Sequence, residues 1–127
     1  MNKNTLIWSL VGIVLIGGLV WLIKTPGKPG KLDEFASCIN DSGATFFGAF
    51  WCPHCQNQKA MFGSSAKLLP YTECSTPDGK GQLQVCADAG VTGYPTWEFP
   101  DGTRESGEIS LDRLSEKTNC SLPENNG

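Results

Sequence analysis

The chain has 127 residues, six cysteines and a formal net charge of −3. Residues 1–31 carry four lysines and no acidic residue, whereas residues 32–127 carry six basic and thirteen acidic residues. A chain of this length forms one small domain, and an acidic domain lacks the basic surface that nucleic-acid binding requires. We therefore expect a single domain that has no nucleic-acid partner.

The first predicted element is an apolar helix that is long enough to cross a membrane. Residues 5–23 contain no charged side chain, and as a helix they would span roughly 28 Å at about 1.5 Å per residue. Trp8 and Trp21 lie near its ends, where aromatic residues favour the membrane interface. A secretory signal is the alternative, but it is shorter and precedes a small-residue cleavage site. The sequence predicts a tail and transmembrane anchor over residues 1–23 and a linker over residues 24–31.

Charge and cysteine content disagree about the side of the membrane on which the domain lies. Three lysines follow the apolar segment and only Lys3 precedes it, which favours a cytoplasmic domain under the positive-inside rule. Six cysteines in residues 32–127 are instead typical of disulfides in an oxidising compartment. Because the charge difference is small, we expect the domain on the extracytoplasmic side.

Within the domain, helical spacing, continuous apolar runs and turn residues predict alternating helices and strands. In chain order these are a helix over 32–42, a buried strand over 44–50, a helix over 53–62, a strand over 71–74, a helix over 82–89, strands over 96–99 and 103–106, and a helix from 111 to 117 that is capped by Ser110. The pattern belongs to the α/β class.

Cys52 and Cys55 stand where the first predicted strand ends and the next helix begins. Unpaired N–H groups at a helix N-terminus favour a thiolate, and Pro53 suits the first helical position because it has no N–H group. One turn later, Cys55 can close a disulfide onto Cys52. The pair is therefore predicted to carry out thiol–disulfide exchange, with Cys52 as the exposed, reactive thiol and Cys55 as the buried, resolving thiol.

Half of a zinc site, or a structural loop, is the alternative interpretation of a lone Cys-x-x-Cys pair. A zinc site needs a second close pair of ligands, but the other four cysteines are scattered and His54 is the one histidine in the sequence. We therefore expect no metal and no cofactor. His54 is predicted to donate to the Cys52 thiolate or pair with it; the alternative is a solvated surface residue.

The element order resembles the thioredoxin fold over roughly residues 32–120, with Cys-x-x-Cys after the first strand and Tyr94-Pro95-Thr96 just before the third. The resemblance implies a central mixed sheet flanked by helices and a cis peptide bond before Pro95 that faces the active-site disulfide. It also implies that Pro95 keeps the sulfurs from binding metal and that substrate binds beside Trp51, Tyr94 and Pro95.

A narrower resemblance lies in residues 48–56, 69–74 and 93–98, which are similar to the thioredoxin-like domains that accompany bacterial and plant homologues of vitamin K epoxide reductase. Those domains shuttle electrons between secretory proteins and a quinone-reducing membrane enzyme. The resemblance implies such an enzyme as partner, cysteine-containing secreted or envelope proteins as substrates, and a location in the periplasm or thylakoid lumen. Pro53-His54 is the dipeptide of strongly oxidising relatives, which favours an oxidant of substrates.

One position departs from the family pattern, because Phe46 stands where many thioredoxins have a buried aspartate. Glu98, in the strand after Pro95, is the candidate for proton transfer. A solvent-facing strand residue is the alternative interpretation of Glu98.

The remaining four cysteines allow three pairings. Cys74–Cys86 would close the turn-rich loop between strand and helix, and Cys38–Cys120 would tie the first domain helix to the last. The alternative for Cys74 and Cys86 is a second redox pair that relays electrons.

Two other functions fit parts of the sequence. An extracytoplasmic thiol reductant, for instance for apocytochrome maturation, would have the same fold but would reduce its substrates instead of oxidising them. A non-catalytic thioredoxin-like binding module is the third hypothesis, although such a module has no need of both Cys52 and Cys55.

Overall fold

The computed structural model describes residues 2–24 and 30–124. The first helix, α1 (Lys3–Lys24), is long and apolar enough to cross a membrane, and its apolar segment is not buried against the rest of the described chain. A signal sequence near the N-terminus can also meet these criteria of length and composition. Most of the predicted linker, residues 25–29, lies outside the described residues.

The remaining elements follow the predicted order. They are α2 (Asp33–Asp41), β1 (Thr45–Gly48), α3 (Pro53–Ala60), a 3₁₀ helix (Gly63–Leu68), β2 (Tyr71–Glu73), α4 (Gln84–Asp88), β3 (Thr96–Glu98), β4 (Arg104–Ser106) and α5 (Leu111–Thr118). Each predicted strand loses a residue or more at its ends, and the 3₁₀ helix was not predicted. Gly63 starts it with a positive φ of 54°, a conformation that glycine adopts without steric cost. The Ser110 side chain caps α5 by accepting from Arg113 N, as predicted.

The four strands form one mixed sheet in the order β2-β1-β3-β4. β1 runs parallel to β2 and antiparallel to β3, which in turn pairs antiparallel with β4. The prediction of a central mixed sheet flanked by helices, preceded by an apolar helix, is therefore confirmed.

The two faces of the sheet carry different clusters of buried side chains. On one face Phe46 stacks on Trp97, with ring centroids 4.7 Å apart, in a cluster that includes Cys52 and Cys55. On the other face Phe47 packs with the smaller cluster around Cys74, Cys86 and Val91. Successive strand residues point to opposite faces, so the register of β1 and β3 decides which residues reach the reactive pair.

Hydrogen bonds of the Gln58 side chain link α3 to the segment before α5. Gln58 is fully buried, its amide nitrogen donates to Ile109 O at 2.9 Å, and its amide oxygen accepts from Ile109 N at 2.7 Å. The Trp97 indole N–H points at the same oxygen, 3.4 Å away. A buried polar side chain is stable here because both of its groups have partners.

A Gln58→Met substitution should lower the free energy of unfolding by about 2–4 kcal/mol. Methionine fills a similar volume but leaves the buried N–H and C=O of Ile109 without partners. Urea unfolding of the full chain in detergent measures the change. Asn57→Ala, at an exposed position on the same helix, is the control, and its effect should stay within about 0.5 kcal/mol. An equal effect of the two substitutions would contradict this role of Gln58.

Two disulfides join distant parts of the domain. Cys38–Cys120 ties α2 to the residues after α5, and Cys74–Cys86 ties the end of β2 to α4. Cys52 and Cys55 are the free cysteines of the chain.

Candidate active site

The Cys-x-x-Cys pair lies at the junction of β1 and α3. Cys52 is the N-cap of α3, its sulfur accepts from Cys55 N at 3.4 Å, and Pro53 occupies the first helical turn. The predicted strand–helix junction therefore places the Cys52 sulfur at the positive end of the helix, where a thiolate is stabilised.

Cys52 is buried, with 5% of its surface exposed, so the prediction of an exposed thiol is wrong. The reason lies in the tertiary structure, because the Cys52 thiol donates to Tyr94 O, 3.7 Å away on a segment 42 residues later in the chain. Cys55 is still more buried, with 1% exposed, as expected for the resolving thiol. The backbone before Pro95 therefore lies against the Cys52 sulfur.

Burial, followed by the hydrogen bond with Cys52, raises the pKa of Cys55 to about 12, and the nearby charge of Lys59 limits this rise. The Cys55 thiol is thus protonated at neutral pH. To attack a mixed disulfide at Cys52, it must give up that proton.

The residues around Pro95 form the wall that faces Cys52. The Tyr94–Pro95 peptide bond is cis, and Pro95 is fully buried. Trp51 contacts Tyr94 edge to face, with ring centroids 6.1 Å apart, and its indole N–H donates to Ser75 Oγ at 2.9 Å. Phe50 and Trp51 are both about half exposed, so an apolar surface adjoins the buried sulfur. Trp51, Tyr94 and Pro95, predicted to bind substrate, therefore lie together beside Cys52.

His54 pairs with Glu108 through its imidazole. Its side chain is 68% exposed, and Nδ1 lies 2.7 Å from Glu108 Oε2. Glu108 precedes α5 and is distant in sequence, so nothing in the Cys-x-x-Cys motif indicates this partner. The predicted pairing of His54 with the Cys52 thiolate is corrected to a pairing with Glu108.

Glu98 lies on the sheet face away from the reactive pair. It is opposite Thr45 in the register, whereas Phe46 and Trp97 point towards Cys52 and Cys55. Its carboxylate pairs with Arg104, whose guanidinium also donates to Ala89 O. The prediction that Glu98 transfers protons is therefore wrong, and its open alternative, a strand residue outside the site, fits the geometry.

The sequence did not indicate Tyr71, which lies near Cys55 beside Gly48, or the two side chains that contact Tyr71, Glu73 and Lys59. Tyr71 and Glu73 project from the same face of β2, and the Tyr71 hydroxyl donates a short hydrogen bond to Glu73. Lys59 Nζ lies 3.5 Å from the centre of the Tyr71 ring. Alternation in the sequence places Tyr71 and Glu73 on one face of a strand. Their position near Cys55 depends on the parallel pairing of β2 with β1 and on the space beside Gly48, which the sequence does not show.

The described residues contain no group of three or more His, Cys, Asp or Glu side chains that could hold a metal ion. The chemistry available at the site is that of its two adjacent thiols, which can form and break a disulfide.

No protein-family model matches the chain. Thiol-disulfide oxidoreductase LTO1 of Arabidopsis thaliana is 50% identical over 96 residues, which are 72% of this chain and 25% of that protein. Thioredoxin domain-containing protein 5 homolog of Drosophila melanogaster is 32% identical over 104 residues, 71% of this chain and 24% of that protein. The chain thus spans about a quarter of the length of these relatives. The mixed sheet, the Cys-x-x-Cys pair at the start of α3 and these two similarities identify a thioredoxin-like domain.

Proposed function

We propose that this protein is a membrane-anchored thiol–disulfide oxidoreductase that forms disulfides in extracytoplasmic proteins. It passes the electrons to a membrane quinone reductase of the vitamin K epoxide reductase type. The observation that carries the proposal is the pair of free thiols at the N-terminus of α3, in a domain whose other four cysteines are joined in disulfides.

The proposed reaction needs two exchange steps in each direction. A substrate thiolate attacks Cys52 Sγ of the oxidised pair, the bond to Cys55 breaks, and Cys55 leaves with the electron pair and takes up a proton. A second substrate thiolate then attacks the substrate sulfur of the mixed disulfide and releases Cys52 as a thiolate. The substrate gains a disulfide, and Cys52 and Cys55 are left as two thiols that hold the two electrons. The partner's disulfide then accepts these electrons by the reverse sequence of exchange steps.

Two features support an oxidant rather than a reductant. The Cys52 sulfur caps α3 by accepting from Cys55 N, and a position at the positive end of a helix favours a thiolate. Stabilising the reduced form makes the disulfide a stronger oxidant. The Pro53-His54 dipeptide points the same way through the resemblance, even though His54 itself pairs with Glu108.

The anchor and its orientation are part of the same proposal. α1 has the length and apolar composition of a membrane span. The disulfides Cys38–Cys120 and Cys74–Cys86 support an oxidising compartment outside the cytoplasm, such as the periplasm or thylakoid lumen. An anchored domain would stay close to a membrane-embedded partner, which raises the effective concentration of one for the other.

A full-length Cys55→Ala variant tests the partner directly. Without the resolving thiol, mixed disulfides at Cys52 persist and can be isolated from membranes under denaturing, non-reducing conditions. We expect the trapped proteins to include a quinone-reducing membrane enzyme and cysteine-containing extracytoplasmic proteins. A Cys52→Ala/Cys55→Ala variant is the control and should trap neither. Capture of only an electron-donating thiol reductase would contradict the proposal and favour the reductant.

A further inference from the structure

Cys55 is enclosed in a part of the domain where its own proton has no obvious acceptor. Position 46, which faces the reactive pair, carries a phenylalanine whose ring stacks on Trp97. Glu98 points to the other face of the sheet. If the proposed function holds, some other group must accept the Cys55 proton each time Cys55 attacks the mixed disulfide at Cys52.

Tyr71 and Cys55 flank the same small space beside Gly48. A methyl group placed on Gly48 would lie 3.2 Å from Cys55 Sγ, 3.3 Å from Tyr71 Oη and 2.7 Å from the edge of the Tyr71 ring. The absence of a side chain at Gly48 therefore lets the phenol approach the thiol.

Glu73 is held in place behind the Tyr71 hydroxyl. One carboxylate oxygen, Oε2, accepts the Tyr71 hydroxyl proton in a short hydrogen bond. The other, Oε1, accepts from Phe50 N at 3.0 Å and from Ser75 N at 3.3 Å. The bond from Phe50 N connects the carboxylate to the backbone just before Trp51. Glu73 is only partly buried, so it can exchange a proton with solvent.

The other titratable groups that affect the Cys55 thiol, Cys52 and Lys59, belong to α3 and its N-cap. Cys52 accepts from Cys55 N, and Lys59 reaches over the Tyr71 ring with its ammonium group. The Lys59 charge favours a thiolate at Cys55, and burial together with Glu73 raises the pKa of Tyr71, which keeps the phenol protonated between turnovers. The phenol is thus poised to pass a proton on rather than to remain ionised.

We infer that Tyr71 and Glu73 together accept the Cys55 proton, in the role that a buried aspartate has in many thioredoxins. The Cys55 S–H proton moves to Tyr71 Oη while the Tyr71 proton moves to Glu73 Oε2. The Cys55 thiolate attacks Cys52 Sγ, the Cys52–partner S–S bond breaks, and the partner sulfur leaves as a thiolate. Cys52 and Cys55 are thereby oxidised, the partner's disulfide is reduced, and Glu73 releases the proton to water. This inference rests on the proposed function.

Single-turnover oxidation of the reduced full-length protein by dithiobis(nitrobenzoic acid) separates the two steps. Attack by Cys52 releases the first coloured thiolate, and attack by Cys55 on the mixed disulfide releases the second. At neutral pH, Glu73→Gln and Tyr71→Phe should each slow the second release at least about tenfold and leave the first within about twofold. The deficit should shrink as the pH rises, because hydroxide then removes the Cys55 proton directly.

Thr72→Val is the matched control, since Thr72 lies between the two residues on β2 and points to the other face. A second release that is unchanged in both variants, with a normal first release, would overturn the proton-accepting role and leave the proposed function intact. Equal slowing of both releases at every pH would reveal a purely structural role and would also overturn it. If the wild-type protein shows no first release at all, the proposed function fails.

Discussion

A Cys52→Ser variant is expected to oxidise dithiol substrates at least about a thousandfold more slowly than the wild-type protein. Serine keeps the size and the capping hydrogen bond at the start of α3, but an alcohol cannot form or exchange a disulfide. The measurement is the rate at which the oxidised full-length protein introduces a disulfide into a reduced, unfolded polypeptide with two cysteines.

The matched control is Asn57→Ala, an exposed position on the same helix that should leave the rate within about twofold. Substantial residual oxidation by Cys52→Ser would show that another pair carries the reaction. The variant Cys74→Ala/Cys86→Ala would then identify Cys74 and Cys86 as that pair if it removed the residual rate.

The second large effect is on stability. Removing the Cys38–Cys120 disulfide with Cys38→Ala/Cys120→Ala should lower the free energy of unfolding by about 4.5 kcal/mol in the chain-entropy account. The two cysteines are 82 residues apart, so their bond restricts most of the unfolded domain. The Cys74–Cys86 bond spans only 12 residues, and its removal should cost about 3 kcal/mol.

Urea unfolding under non-reducing conditions gives both values, with each pair of alanine substitutions measured against the wild-type chain. The sharper test is which of the two losses of unfolding free energy is larger, because in the chain-entropy account this depends on loop length alone. A larger loss on removal of Cys74–Cys86 would contradict the loop-length explanation and would point to native contacts of that bond.

The elements with strong local signals could be predicted from the sequence. Pro53 marks the start of α3, Ser110 caps α5, and the apolar run around Phe46 and Phe47 becomes the central strand. Local chemistry decides each of these, because capping and burial patterns act over a few neighbouring residues. The same locality made the position of Cys52 at a helix N-terminus predictable.

The properties that depend on sheet register and on distant partners could not be predicted. Cys52 is covered by Tyr94 O, and His54 turns towards Glu108; both contacts join residues more than 40 positions apart. Glu98 has the composition of a proton carrier, but the pairing of β1 with β3 turns it to the wrong face. A shift of one residue in that pairing would have reversed the outcome.

The position of Tyr71 near Cys55 could not be predicted either. In the sequence Tyr71 is one aromatic residue in a short strand, and its relation to Cys55 arises from the parallel pairing of β2 with β1 at Gly48. Close approach across a glycine is visible only when the neighbouring strand is known.

The equilibrium reduction potential of the Cys52–Cys55 pair tests the central claim most directly. It should be measured on the full-length protein in detergent against a glutathione buffer, with the fraction oxidised followed by thiol labelling. We predict a value above about −180 mV, in the direction of the strong oxidants near −120 mV. A value near about −270 mV, that of a thiol reductant, would contradict the proposed direction of electron flow.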